Sequence, residues 1–316
     1  MARLILNRLG FALLTMVLVS LIAFIGTEAL PGDSCTAYLG RDATEEGLAI
    51  CREKRGLERP IYVKYSEWAW SIVQGDLGTS MNGDRDINEI VRIRLRNTAL
   101  LAVTASIVGI PLAIFLGVLT GLYRDRFPDI AISSTAIVAM TLPEFVTATI
   151  LIYIFSIQLG WFDAIAVLRS KATIWELLPN IMLPVITLVL VMTAHILRMV
   201  RTSVIDVMAS DFVQMARLKG VPYWQIVFKH ALPNALLPSI PVIALTIAWL
   251  LAGLVIIERV FNYPGLGNEM LEAISDRDLP VVLAIAMLLA AVYVIVNLIS
   301  DLLTLFLNPR LRTMRT

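Results

Sequence analysis

Six stretches of this 316-residue chain, at 9–27, 98–123, 130–157, 178–197, 235–257 and 280–307, are runs of apolar residues that meet or nearly meet the length of a membrane crossing. A helix needs roughly 20 such residues to traverse a hydrocarbon core about 30 Å thick. With 58% hydrophobic and 16% charged residues, and a mean hydropathy of +0.79, the chain has more apolar surface than a water-soluble domain can bury. Bilayer is the expected solvent. The expected fold is an all-α polytopic membrane protein of about six transmembrane helices. A formal charge of +1, with basic residues spread over the loops, gives no face for nucleic acid.

The first run follows Arg3 and Arg8, as a signal peptide would. It is longer than a typical signal core, however, and Glu28, Ala29, Leu30 and Pro31 offer no small-x-small cleavage site, so it reads as a membrane helix. Placing the N-terminus in the cytoplasm puts Arg124, Arg126, Arg198, Arg201, Arg217, Lys219, Lys229, Arg310, Arg312 and Arg315 on that side. The opposite short loop, 258–279, is mostly acidic, with Glu258, Glu269, Glu272, Asp276 and Asp278 against Arg259 and Arg277. Arg92, Arg94 and Arg96 resist this arrangement, but they end a long external region, and long regions translocate largely regardless of charge. The expected organisation is a cytoplasmic end and first helix over 1–27, an external region over 28–97, a five-helix core over 98–307 and a tail over 308–316. Both termini then face the cytoplasm.

Both cysteines, Cys35 and Cys51, fall in the external region. In an oxidising compartment a disulfide between them would close a loop of about 15 residues, worth roughly 3 kcal/mol in the chain-entropy picture. The alternative is two free thiols. Tyr62, Tyr65, Trp68 and Trp70 follow closely. They suit either an amphipathic helix at the membrane interface or the packed core of a small cap.

Polar groups inside the spans are few. Glu144 follows Pro143 near the middle of the third run, His195 stands near the inner end of the fourth, and Asn297 and Asp301 share one face of the sixth. A relay of carboxylates and histidines, as a proton-driven carrier would need, is not evident. Glu144 either faces a translocation path and meets a cationic part of a solute, or is a carboxylate satisfied by neighbouring helices. Pro143 and Trp249 join it as path candidates. Pro111, Pro143, Pro184, Pro238 and Pro241 each remove a backbone donor and can kink a helix. Such kinks serve a path that opens and closes, or simply accommodate packing.

Chemistry motifs are missing. The chain has no phosphate-binding G-x-x-x-x-G-K-[ST] loop, no H-E-x-x-H, no G-x-S-x-G and no C-x-x-C, and its two histidines, His195 and His230, suggest no metal site. Catalysis by this chain, or a cofactor of its own, is not expected.

The segment 210–233, SDFVQMARLKGVPYWQIVFKHALP, interrupts the apolar pattern. Ser210 or Asp211 is a good N-cap, Phe212, Met215, Ala216 and Lys219 recur on one helical face, and Gly220 stands where a left-handed residue would end the helix. Pro222 suits the start of a second helix carrying Tyr223, Trp224, Ile226 and Val227 to Leu232 and Pro233. The expected result is a basic, aromatic helical hairpin, either a docking knob or a hairpin lying on lipid headgroups.

This hairpin resembles the cytoplasmic loop motif of binding-protein-dependent ABC importer permeases, E-A-A, three residues, G, nine residues, I-x-L-P. Gln214, Met215 and Ala216 hold the triplet, Gly220 the glycine, His230 the isoleucine position, and Leu232 with Pro233 the close. The Glu and Ile are replaced. ARLKG followed by FKHALPNALLP is similar to the oligopeptide and dipeptide branch, which also contains nickel, oligosaccharide and opine carriers. So are Leu30, Pro31, Gly32 and Asp33, the segment GDLGTS at 75–80, ERVFNYPGLG at 258–267, and Asn308, Pro309 and Arg310, with Asn308 where that branch usually has Asp.

The resemblance implies a type I ABC importer permease fold in the bacterial inner membrane. It implies four kinds of partner: a second permease, two ATPase subunits that bind ATP and Mg, an external solute-binding protein, and lipid. Loop 201–234 would be the coupling element, with Asp211, Gln214, Met215, Ala216, Arg217, Lys219, Gly220, Leu232 and Pro233 at the ATPase contact. The solute would be a di- or oligopeptide or a related small molecule. A secondary transporter and a non-transporting membrane scaffold are the alternatives.

Overall fold

The computed structural model describes residues 2–29, 34–39, 43–54, 56–166 and 174–307. The sequence segments Leu30, Pro31, Gly32, Asp33 and Asn308, Pro309, Arg310, with Arg312 and Arg315, lie outside the described residues. Fourteen α-helices follow in order: α1 Ala2–Glu28, α2 Ser34–Leu39, α3 Glu45–Lys54, α4 Ile61–Val73, α5 Ile87–Leu122, α6 Phe127–Thr141, α7 Glu144–Leu151, α8 Ile174–Met208, α9 Asp211–Leu218, α10 Tyr223–Gln225, α11 Leu232–Ala235, α12 Ser239–Val260, α13 Leu266–Ser275 and α14 Leu279–Leu307. π-helical stretches, Ile152–Gln158 and Ile226–Ala231, follow α7 and α10. The described residues contain no strand, only one isolated bridge between Thr79 and Asp86.

Among the described residues four helical segments, Ile5–Glu28, Ile87–Leu122, Leu178–Met208 and Leu279–Leu303, are long and apolar enough to cross a membrane; two bent helix pairs bring the number to six if each is one span. The first bent pair shows why a single run at 130–157 is broken. Proline disfavours helical backbone in the residue before it, and Leu142 accordingly turns extended (φ −84°, ψ 129°). Pro143 is extended too (φ −57°, ψ 143°), and α7 departs from α6 at 109°. The second pair bends by 54° between Tyr223–Ala235 and Ser239–Leu250. Pro111, by contrast, sits inside unbroken α5, and Pro179 and Pro184 inside α8.

By internal contacts the chain forms two units. The first comprises Met1–Ile5, Ala99–Tyr263 and Ile295–Thr316. Its axis is α8, which packs against α6, α7 and α12. In α8, 72% of the apolar window is buried, against 11% in α1, so α8 is mostly enclosed by protein and α1 is mostly exposed. α5 meets α8 through residues spaced by four: Ala105, Gly109, Ala113, Gly117 and Gly121. A Cβ on Gly117 would stand 2.7 Å from Cβ of Val200 and 2.9 Å from the Leu197 carbonyl; one on Gly121 would stand 2.7 Å from Cβ of Val204. Such a stripe lets two backbones approach closely, which is how helices gain packing energy where lipid is the competing solvent.

The second unit comprises Leu6–Thr98 and Pro264–Val294. Ile87, Val91, Leu266, Ala273, Val281 and Ile285 form its core. Two acidic groups read from the sequence as loop charges prove to be internal anchors. Asp278, 3% exposed, accepts from Met81 N (3.1 Å) and Asn82 N (3.3 Å) and takes a short bond from the Ser80 hydroxyl. Glu269 pairs with Arg94 at 2.5 Å, so one of the arginines at odds with the charge pattern is matched inside the fold. GDLGTS and the loop before α14 therefore meet. Asn97 Nδ2 donates to the Pro264 carbonyl (2.8 Å), and Leu266 N donates to Thr98 Oγ1 (2.8 Å). Cys35 on α2 and Cys51 on α3 are joined as a disulfide, with Cα atoms 6.0 Å apart. Tyr65 and Trp68 of α4 pack on Phe24 of α1, while Tyr62 and Trp70 stay exposed.

The stripe gives a direct test. Gly117→Leu, forced against Val200, should lower the thermal unfolding midpoint of the purified protein, at a cost of about 1–3 kcal/mol for overpacking. Gly26→Leu on α1, where an added Cβ meets nothing within 4 Å, should leave it unchanged. Equal effects would refute the α5–α8 contact.

Candidate functional site

The hairpin after α8 is built from its buried face outward. Ser210 holds the N-cap position of α9 in extended conformation (φ −71°, ψ 154°). Its hydroxyl donates back to the Val207 carbonyl (2.5 Å), however, and not into the helix. α9 ends in a Schellman turn: Val221 N donates to the Ala216 carbonyl (3.2 Å) and Gly220 N to the Arg217 carbonyl (2.9 Å). The turn requires the left-handed φ of +74° at Gly220, which glycine adopts without a Cβ penalty. Pro222 then holds the N-cap position of α10.

The buried face of α9 centres on Val213, outside the set Phe212, Met215, Ala216 and Lys219 that the periodicity picks out. Val213 is fully buried with Ile226 and Ala231, and Ala216, Val221, Val207 and Met208 pack around them. Phe212 and Met215, from the face on which the sequence spacing gathers Phe212, Met215, Ala216 and Lys219, are 46% and 55% exposed. Leu218 is 82% exposed, and Trp224 and Phe228, stacked with centroids 5.8 Å apart, are also exposed. The hairpin thus keeps a small core of its own and turns a larger apolar crest outward, flanked by exposed Asp211, Gln214, Arg217, Lys219 and Gly220. Pro233 is exposed, whereas Leu232 packs into the main core and Ala216 into the hairpin core. Both of these are half-buried, so each supports the hairpin while keeping part of its surface exposed.

The hairpin is fastened to α8, because Val207 and Met208 at the end of α8 belong to its packing. Two turns earlier Arg201 grips Asp129 of α6 through two bonds, Nε to Oδ1 at 2.6 Å and Nη2 to Oδ2 at 2.7 Å. Asp129 is 2% exposed and also accepts from Asp125 N (2.9 Å) and the Ser133 hydroxyl (3.0 Å). This planar two-point geometry is specific to arginine. Charge counting along the sequence recorded Arg201 only as a loop charge and passed over Asp129.

The path candidates come together deeper in the same unit. Glu144, first residue of α7, joins Thr187, Met192, Thr246 and Trp249 around a cavity of about 10 Å³, room for about one water. One carboxylate oxygen finds no hydrogen-bond partner among the described residues. Gly253 of α12, missed by the sequence reading, faces that carboxylate so closely that a Cβ there would collide with it. Trp249, four residues earlier, packs edge-on against His195 at 5.3 Å. Pro143 makes the turn that presents Glu144 and is itself exposed.

Helices long and apolar enough to cross a bilayer, with α8 buried among its neighbours and followed by a hairpin that exposes apolar side chains, define a polytopic helical membrane protein. Comparison with known proteins gives it a family. Residues 109–313 match the profile of the binding-protein-dependent transport system inner membrane component, and residues 1–87 match the N-terminal region of such membrane components. The chain is 31% identical over 308 residues to the glutathione transport system permease protein GsiC of Salmonella choleraesuis (strain SC-B67), covering 98% of each. It is 30% identical over 308 residues to the GsiC protein of Escherichia coli (strain K12), again covering 98% of each. A solved structure described as an amino acid ABC transporter with histidines shares the fold, with a TM-score of 0.51 and 18% identity over 70% of this chain and 94% of that one. The chain belongs to the family of inner-membrane permease subunits of binding-protein-dependent ABC importers, and its fold is that of the type I permease.

The Asp129–Arg201 pair should be a structural clamp. Asp129→Asn leaves Arg201 without its counter-charge and should destabilise the protein by about 1–3 kcal/mol, the range for a pair with one partner partly exposed. Arg201→Lys should fall short of rescue because it loses the second bond. Unfolding midpoints in detergent check both, and an Asp129→Asn midpoint equal to that of the unaltered protein would contradict the clamp.

Proposed function

We propose that this chain forms half of the translocation path of an ATP-driven importer, in company with a second permease, two ATPase subunits and an external binding protein. The hairpin within 201–234 is its coupling element. The observation that carries this reading is the outward apolar crest: Phe212, Met215, Leu218, Trp224 and Phe228 are exposed on a hairpin whose own core is already satisfied. Large apolar side chains exposed together on one short element with its own core suit a docking site. Arg217 and Lys219 beside it suit acidic groups on a partner.

In this reading the hairpin faces the cytoplasm, as do both termini, region 28–97 lies outside, and 308–316 is a cytoplasmic tail. ATP and Mg are held by the ATPase subunits. Their closure pushes the crest, α8 carries the displacement, and the break at Leu142 and Pro143 absorbs it next to Glu144. The solute is inferred to be peptide-like, since the similar permeases are named for glutathione, itself a tripeptide.

Gly220 is the sharpest probe, because an added Cβ meets nothing within 4 Å and a bulky side chain projects into the docking surface. Gly220→Trp should reduce ATP-dependent peptide uptake in proteoliposomes of the assembled complex by roughly tenfold or more, with the protein still in the membrane. Gly220→Asn, which tolerates left-handed backbone, should retain most of it. Undiminished uptake by Gly220→Trp, or uptake driven by an ion gradient without ATP, would overturn the proposal.

A further inference from the structure

α4 has three faces with different surroundings. Tyr65 and Trp68 contact α1: the Tyr65 and Ser20 hydroxyls are hydrogen-bonded at 2.8 Å, and both rings pack within 5.4 Å of Phe24. Lys64, which pairs with Glu28 at 2.6 Å, lines a cavity of about 590 Å³ together with Glu67 and Ser71. Opposite these polar residues, Tyr62 (72% exposed), Trp70 (65%) and Val73 (77%) share one side of the helix. At about 100° per residue they fall within roughly 80° of one another.

The contacts with α1 fix the depth of α4. The span Ile5–Glu28 has 24 residues, or about 36 Å of helix against a hydrocarbon core of about 30 Å. Ser20 lies eight residues before Glu28, roughly 12 Å along the axis, and so stands some way inside the core, while Glu28 stands at its edge. A helix that bonds to Ser20 through Tyr65 and to Glu28 through Lys64 therefore rides at the boundary between headgroups and acyl chains. The helix it is fastened to is itself largely exposed, its apolar window only 11% buried.

We propose that α4 is an in-plane amphipathic anchor, with Tyr62, Trp70 and Val73 seated among phospholipid headgroups and the first acyl carbons at the Glu28 end of α1. Tryptophan and tyrosine prefer that zone because each joins an apolar ring to a polar tip. The anchor holds the segment after α1 against the membrane surface and keeps the polar face of α4 toward the cavity.

Nitroxide accessibility in phospholipid nanodiscs tests this. Labels at Tyr62→Cys, Trp70→Cys and Val73→Cys, with Glu67→Cys as the polar-face reference, leave Cys35 and Cys51 joined and unreactive. The ratio of collisions with oxygen to collisions with a water-soluble nickel chelate should be severalfold higher at 62, 70 and 73 than at 67. A chelate-dominated ratio at 70 and 73 would place the face in water, and inaccessibility to both reagents would place it under protein; either overturns the proposal. Without added cysteines, brominated phospholipid should quench a tryptophan component that Trp70→Phe removes. An unchanged quenchable fraction would also overturn it.

Discussion

In a bilayer, helices gain nothing by leaving water, so their association depends on how closely they pack, and in the first unit α5 approaches α8 along a seam of small residues. The stripe Ala105, Gly109, Ala113, Gly117 and Gly121 presents backbone to Met192, Val200 and Val204 with no side chain to hold the helices apart. Dispersion contacts are individually small, about 0.1–0.2 kcal/mol per atom pair, but a close seam multiplies them. α6, α7 and α12 enclose α8 from its other sides, and both candidate sites of the unit lie along it. Thr187, Leu188, Val191 and Met192 face the cavity of Glu144, and Val207 and Met208 seat the hairpin.

That arrangement gives the proposed coupling a mechanical form. From Met192 to Met208 is one unbroken helix, about 24 Å long, and packed interiors transmit strain with little compression. The Arg201–Asp129 clamp ties α6 to the same rod. Compliance is concentrated at Leu142 and Pro143, where the chain leaves helical backbone and turns by 109°. Glu144 sits at that point, against a glycine that leaves room for its carboxylate and little else.

Much of this was legible in the sequence where a local rule decides. Apolar run length located the spans, and Gly220 and Pro222 ended one helix and began the next because left-handed backbone and a missing amide hydrogen are local properties. Rules that depend on the partner failed. Periodicity identified an apolar face on α9 but could not tell that Val213 would supply the hairpin core and leave Phe212 and Met215 outside. The four-residue spacing of small residues in α5 was present in the sequence, yet only the facing side chains of α8 give it meaning. Asp278 and Glu269 were counted only as charges and Asp129 was passed over, whereas their roles depend on Ser80, Arg94 and Arg201, far away along the chain.

If the exposed apolar side chains of the hairpin form a protein-docking surface, Leu218, 82% exposed, touches the partner. A photoreactive amino acid placed at 218 in the assembled membrane complex should cross-link to an ATPase subunit, in an amount that changes when ATP is bound. Cross-linking to phospholipid alone would make the hairpin a membrane-surface element and contradict the account.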